Sequence, residues 1–354
     1  MTYLEHLPSP PATVYDVALL DLDGVVYRGR AAVPYAAQSI ARAREAGMGM
    51  MYVTNNANRP PQVVADHLSE LGISTEPEAV TTAAQAAARL VASQYPAGTP
   101  VLVVGGAGLR EALTIEGMSV VDSADQAPAV VVQGFAPTVG WPELTEAVLA
   151  INAGAQHIAS NLDATLPLER GSALGNGSLV AAVVNATGQT PRSTGKPAAE
   201  IFHQAAAAAA AENPIVIGDR FDTDLQGAKT AGYPGMHVLT GVDGAAGLLR
   251  CPAPQRPTLL ALDLRGLLEP HPGVQPAGQW WQCGDVAARI LDGAIEVSDG
   301  TATSTLSNAM TITLDQLRAA CVAAWTASDA AGQQWVPELR DIAVHARGDE
   351  GAIA

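Results

Sequence analysis

Hydrophobic residues run almost unbroken over Val14–Leu20, interrupted only by Asp16, and the run ends at Asp21. A stretch without a polar face predicts a strand buried on both sides, as in a parallel sheet. Helical spacing follows over Ala36–Ala46 and stops at Gly47. A second apolar run, Met48–Val53, is closed by Thr54-Asn55-Asn56. Pro60–Gly72 predicts another helix, with proline in its first turn and glycine past its end. Strand, helix, strand, helix is the rhythm of an α/β fold with a parallel sheet.

The rhythm continues in different material. Thr81–Ser93 predicts an alanine-rich helix, and Val101–Val104 a short strand before Gly105-Gly106-Ala107-Gly108. Strands are expected at Ser119–Val121, Ala129–Gln133 and His157–Ser160, with a helix over Pro142–Ala153. Ser178–Thr187 and Pro197–Ala211 predict two more helices. The first style then returns: strand Ile215–Gly218 ending at Asp219, helix Thr223–Ala231 closed by Gly232, and strand Met236–Leu239. Thr258–Leu262 adds a last strand. Six prolines lie from Pro252 to Pro276 inclusive, and Glu269–Gly278 reads as a linker. The remaining segment carries four of the five tryptophans, Trp280, Trp281, Trp325 and Trp335. It predicts short strands at Trp280–Gln282, Ala288–Leu291 and Ala294–Val297, then a helix over Leu314–Ala327. Its tryptophans are expected in packing rather than in a ligand cage.

Composition narrows the classes. The 354 residues include 19 Lys+Arg and 35 Asp+Glu, a formal charge of −16. Such a chain repels phosphate backbones at long range, which argues against general nucleic-acid binding. Cys251, Cys283 and Cys321 form no CxxC pair or zinc spacing, and a sparse odd count fits a reducing cytosol. The first residues show no signal-peptide pattern, and no apolar run reaches membrane-spanning length. A cytoplasmic protein is the expectation.

The candidate chemistry sits where predicted strands end. In Asp21-Leu22-Asp23-Gly24, the two aspartates are spaced to face one way. In Gly218-Asp219-Arg220-Phe221-Asp222-Thr223-Asp224, a second acidic cluster begins at the end of another short apolar strand. Ligands of open α/β sheets bind at such strand ends. Asp21, Asp23, Asp219 and Asp224 would crowd one sheet edge, and a hard divalent cation such as Mg²⁺ resolves that repulsion. Asp222 and Asp224 also suit a helix N-terminus. Thr54, Asn55 and Asn56 offer a hydroxyl and backbone N–H groups to phosphate oxygens, though an Asx turn explains them as well. Lys196, in Gly195-Lys196-Pro197, could neutralise a phosphate. The stretch Val101–Glu111 lacks the third glycine of a dinucleotide fingerprint, so it is expected as a tight turn.

In their order and placement, DLDGVVYRG, the strand ending in TNN, GKP and GDRFDTD resemble the four motifs of the haloacid dehalogenase superfamily. The likeness covers residues from about 14 to 265. The phrases TNN, GNGSLVAAVVNATG and GKP resemble its NagD-like and p-nitrophenyl-phosphatase-like branch, close to glycerol-3-phosphate and phosphoglycolate phosphatases. The resemblance implies a doubly wound parallel-sheet core with an inserted α/β C2-type cap and a small C-terminal α+β appendage. In residues, this is a core of 1–80 and 188–268, a cap of 81–187, a linker of 269–279 and an accessory region of 280–354. It implies a Mg²⁺-dependent phosphatase. Asp21 would be the nucleophile and Asp23 the general acid and base. Asp219 would join Asp21 and the Asp23 carbonyl as a direct ligand of the metal, with Asp224 reaching it directly or through water, and Thr54, Asn55, Asn56 and Lys196 would hold the phosphoryl group.

The segment Ser160–Leu168 resembles the family's substrate-specificity loop, which makes Asp163 and Leu166 the cap's specificity candidates. Relatives preferring pyridoxal phosphate tend to carry histidine where Leu166 stands, while glycerol-phosphate and phosphoglycolate relatives carry leucine. The resemblance therefore favours glycerol 3-phosphate, with pyridoxal phosphate, phosphoglycolate or a nucleotide as alternatives. C2-capped relatives often pair through their caps, which makes a homodimer an expectation. Two other classes compete: a phosphoaspartate receiver, opposed by the large insert, and a catalytically silent metabolite sensor, opposed by the complete motif set.

Overall fold

The computed structural model describes residues 3–168, 170–332 and 339–345. The chain divides into two compact units, Met1–Met50 with Ala211–Ala354, and Met51–Ala210.

In the first unit, strands Val17–Leu20, Pro214–Gly218, Gly235–Val238 and Leu259–Ala261 pair side by side, all parallel. Every residue of the four is buried, and all but His237 are apolar or glycine. The register sets Leu20 opposite Ile217, so Asp21 and, one residue further along its own strand, Asp219 follow the ends of adjacent strands. A π-helical turn, Phe221–Leu225, runs into helix Gln226–Ala231, where a helix over Thr223–Ala231 was expected. A small hairpin, Tyr27–Arg28 with Ala31–Ala32, follows the first acidic motif and gave no pattern signal.

The C-terminal region belongs to this unit's core. Strands Gln275–Ala277, Trp280–Cys283, Val286–Leu291, Ala294–Ser298 and Thr303–Thr305 form an antiparallel meander. Helix Leu314–Ala331 starts with a capping box between Thr313 and Gln316. Trp325, Leu317 and Cys321 of that helix bury with Leu248, Leu249 and Leu260 of the α/β part in one cluster. The Trp325 indole N–H donates to Leu248 O at 2.8 Å. The segment 269–279, expected as a linker, instead carries the first meander strand and the buried His271, which pairs with Leu7. Prolines suited that path because they break helices without preventing an edge strand. Trp280 and Trp281 are half-buried, and Trp335 lies outside the described residues.

In the second unit, Tyr52–Thr54 pairs in parallel with Val80–Thr82. Thr82 caps helix Ala83–Gln94 through a reciprocal box with Gln85. Five parallel strands form a further sheet in the order Arg192–Ser193, Gln156–Ala159, Val130–Gln133, Pro100–Val104 and Ser119–Val121. Helices Trp141–Asn152 and Asn176–Thr187 cover one face, burying Leu102, Val104 and Val131 against Ala147, Ile151 and Val183. The hairpin Thr165–Leu168 with Gly171–Leu174 was not predicted. The alanine-rich helix spans Ala199–Ala208, shorter than expected, and Ala210 turns left-handed at φ 49 despite its helix propensity. Gly106 and Gly108 are there for close approach: a Cβ on either would strike the 57–59 backbone or the Asn58 side chain.

Candidate active site

Three carboxylates converge at the strand ends of the first unit. Asp21, Asp219 and Asp224 each place an oxygen within 4.8 Å of the others. Asp219 and Asp224 are fully buried and Asp21 less completely so. Asp21 is fixed by its N–H, which donates to Ile217 O at 2.9 Å. Asp224 Oδ2 accepts the Arg220 N–H at 3.1 Å, and its own N–H donates to Arg220 O at 3.1 Å. Gly218 is glycine for this reason, since a Cβ there would stand 2.1 Å from that of Asp224. Asp219 Oδ2 accepts the Val242 N–H at 2.6 Å. Asp222, by contrast, faces out and pairs with Arg220 at 3.0 Å.

Asp23 stands apart from this trio with an exposed side chain, on a bridge to Tyr27. Gly24 then takes φ +90, a conformation that glycine adopts without strain. Around the trio, Asp243 O accepts from His237 Nε2 at 2.9 Å, and its carboxylate accepts the Phe221 N–H at 2.7 Å. Burial raises the pKa of the Asp243 carboxyl. The His237 ring lies 4.8 Å from that of Phe221, and burial lowers its pKa to about 4.

The other candidates lie in the second unit. Thr54 Oγ1 accepts the Asn56 N–H at 3.1 Å, and Asn56 Oδ1 accepts the N–H groups of Asn58 and Arg59 at 2.8 and 3.2 Å. The Asn56 side chain thus shapes an Asx turn. Asn55 is a hub. Its Oδ1 accepts the Lys196 N–H at 2.8 Å, and its amide donates to Lys196 O at 3.2 Å and to both Asp163 oxygens at 3.1 and 3.2 Å. Lys196 is buried, with Nζ donating to Val53 O at 3.3 Å. Leu166 is half-buried on the hairpin, three residues beyond Asp163.

The loop bearing Asp163 is held from behind. Asn161 Nδ2 donates to Asn55 O at 2.8 Å, and Asn161 Oδ1 accepts the Asp163 N–H at 3.2 Å. The buried Asn176 amide donates to Asn161 O at 2.7 Å. Gly175 and Gly177 let the loop lie against the helix start, because a Cβ on either would come 2.2 Å from a loop carbonyl. Asn161, Asn176, Val242 and Asp243 were not anticipated as site supports. The phrase Gly175-Asn176-Gly177 was the available signal for one of them; a backbone N–H such as that of Val242 leaves none.

A carboxylate trio of hard oxygen donors can hold a small divalent cation. A carboxylate freed from proton competition can also act as a nucleophile. Comparison with known proteins agrees with that chemistry. Residues 18–119 match the haloacid dehalogenase-like hydrolase profile, and residues 193–267 match a HAD-hydrolase-like one. A D-glycerol 3-phosphate phosphatase of Mycobacterium tuberculosis is 43% identical over 272 residues, covering 75% of this chain and 76% of that one. An acid sugar phosphatase of Staphylococcus saprophyticus is 35% identical over 230 residues, 64% of this chain and 88% of that one. A glycerol phosphate phosphatase of M. tuberculosis, solved in complex with magnesium, superposes with a TM-score of 0.78 at 37% identity, covering 97% of this chain and 96% of that one. That last likeness runs through the meander and terminal helix as well as the α/β part, and with these relatives the chain belongs to the haloacid dehalogenase-like hydrolases.

Proposed function

We propose that the protein is a Mg²⁺-dependent phosphatase that hydrolyses glycerol 3-phosphate to glycerol and phosphate through an aspartyl-phosphate. The observation that carries this reading is the convergence of Asp21, Asp219 and Asp224 oxygens within 4.8 Å. The donor set fits magnesium: all three are carboxylate oxygens, and the bare backbones of Gly24 and Gly241 let the Asp219 carboxylate lie where a Cβ would collide with it. Asp21, Asp219 and Asp224 would hold the ion, with the Asp23 backbone. Bound magnesium supplies positive charge that offsets the phosphoryl oxygens.

The Asp21 carboxylate attacks phosphorus, and the phosphorus–oxygen bond to the alcohol breaks. Asp23 gives its proton to the departing alkoxide. It then takes a proton from water as that water attacks the aspartyl-phosphate, releasing phosphate and restoring Asp21. Thr54, Asn55 and Lys196 are the proposed phosphate-holding groups, and neutralising and positioning the phosphoryl group is most of the work in such reactions. Asp163 and Leu166 are the proposed selectors of the alcohol. The 43% identical relative named for D-glycerol 3-phosphate supports that substrate. A second reading, a sugar phosphate, is favoured by the acid sugar phosphatase likeness.

A phosphate-release panel with Mg²⁺ tests the proposal, scored by kcat/KM on glycerol 3-phosphate, a sugar phosphate, 2-phosphoglycolate, pyridoxal 5′-phosphate and a nucleoside monophosphate. Glycerol 3-phosphate is expected to lead. A leading sugar phosphate selects the second reading, and no turnover of any ester with Mg²⁺ bound overturns the phosphatase reading itself.

A further inference from the structure

Two stretches outside the acidic trio close on Asp219. A Cβ at Gly24 would stand 2.5 Å from Asp219 Oδ2, and one at Gly241 would stand 1.8 Å from it. The carboxylate is therefore gripped between two bare backbones, with the Val242 N–H donating to the same oxygen at 2.6 Å. The grip works only if the two backbones keep their spacing.

One buried side chain sets that spacing. Thr240 is 5% exposed, and its hydroxyl donates to Gly24 O at 2.6 Å. Its carbonyl accepts Arg28 Nε at 2.7 Å and also Arg28 Nη2. The Gly24 N–H in turn donates to Tyr27 O at 2.8 Å, the residue before Arg28. Gly24, Tyr27, Arg28 and Thr240 thus form a closed circuit of hydrogen bonds. It fastens the hairpin that follows Asp23 to the 240–243 cradle of Asp219.

We propose that Thr240 and Arg28 are positioning residues of the magnesium site: they hold the 23–24 peptide and the Asp219 carboxylate at a fixed separation. The proposal rests on the reading that Asp21, Asp219 and Asp224 bind Mg²⁺. Thr240 and Arg28 each act through the backbone they tie, as supporting groups around metal ligands commonly do.

The test is calorimetric titration of the full-length protein with Mg²⁺ alone, beside thermal melting. The variants are Thr240→Val, which keeps the shape and removes the hydroxyl, Thr240→Ser, which restores it, and Arg28→Met, which keeps the stem of an exposed residue. Thr240→Val and Arg28→Met are expected to weaken Mg²⁺ binding by about tenfold, and Thr240→Ser to recover it. Asp219→Asn serves as the control that loses binding. Wild-type Mg²⁺ affinity in both Thr240→Val and Arg28→Met overturns the proposal and leaves the metal reading standing. A wild-type protein that binds no Mg²⁺ overturns both. Equal loss in the Val and Ser variants, tracking a lowered melting temperature, assigns Thr240 a packing role and overturns its part. If Thr240→Val does not fold, Arg28→Met decides.

Discussion

Asn55 and Asp163 are 108 residues apart, yet the Asn55 amide donates to both oxygens of the Asp163 carboxylate, at 3.2 and 3.1 Å. The same side chain accepts the Lys196 N–H at 2.8 Å. One asparagine therefore ties the strand end at Thr54, the Asp163 loop and the lysine turn into a single polar cluster. Asn55→Asp separates these ties, because a carboxylate still accepts from Lys196 but opposes Asp163. We expect kcat/KM to fall by about tenfold or more, since a hydrogen bond to a charged group is lost and like charges face each other. Steady-state kinetics on glycerol 3-phosphate checks this, and an unchanged value would remove Asn55 from the proposed phosphate-holding set.

Asp21→Asn keeps the size of the side chain and removes the proposed nucleophile. Phosphate release should drop at least about a thousandfold, to the background of the preparation. Turnover within tenfold of wild type would show that Asp21 does not form the covalent intermediate.

Gly241→Ala places a methyl group 1.8 Å from Asp219 Oδ2 and 2.4 Å from Asp219 Cβ. The carboxylate must move, and misplacement by about 1 Å can cost on the order of a hundredfold in rate. The expected result is a folded protein, by circular dichroism, with kcat lowered by that factor. Wild-type kcat would mean that the cradle tolerates the shift.

Trp325→Ala removes a fully buried ring and the 2.8 Å bond to Leu248 O, both inside the cluster shared by the terminal helix and the α/β part. A loss of about 3–5 kcal/mol in urea unfolding is expected. One cooperative transition for the first unit should persist. A separate early transition confined to the C-terminal segment would show that it folds independently.

Burial lowers the pKa of His157 and of His271 from 6.5 to about 4. In each case the folded state binds fewer protons than the unfolded chain between those values. Their contribution to stability is full above pH 6.5 and is lost as pH falls towards 4, by about 2 kcal/mol each near pH 4.5. His157 Nε2 lies 3.1 Å from Gln133 Oε1, so His157→Gln is the informative variant. Denaturant midpoints from pH 7.5 to 4.5 should fall less steeply in that variant than in wild type. Parallel slopes would show that His157 carries none of the dependence.

Much of the α/β part was legible because burial on both faces leaves a signature that local sequence cannot hide. Val17–Leu20 and Pro214–Gly218 are apolar throughout, and both end at an aspartate. The strand-to-helix junction at 105–106 was likewise readable, although the reason for Gly106, the nearby Asn58, was not. Two short hairpins escaped notice. Tyr27–Arg28 with Ala31–Ala32 has only two residues per strand, too few for any period to register.

The linker expected at 269–279 shows a different limit. Its prolines mark backbone that cannot be helical, but not whether another part of the chain packs on it. His271 is buried beside Gly266 and the Arg318 guanidinium, partners that only the folded chain supplies. The C-terminal segment similarly read as an appendage by composition, whereas Trp325 packs it into the core of the first unit.

By itself, the sequence determined the alternation of buried strands and amphipathic helices, and the placing of Asp21, Asp219, Thr54 and Lys196 at or near element ends. These follow from periodicity and from the chemistry of single residues, both local. The tertiary structure decided which of those ends meet. The parallel register of Leu20 with Ile217 brings Asp21 beside Asp219, and the turn at Arg220 swings Asp224 into the same cluster while Asp222 faces solvent. It also decided which backbone serves the carboxylates, since the Val242 N–H and the bare Cα atoms of Gly24 and Gly241 act through position alone. A peptide group is the same at every residue, so its role is written only in the path of the folded chain.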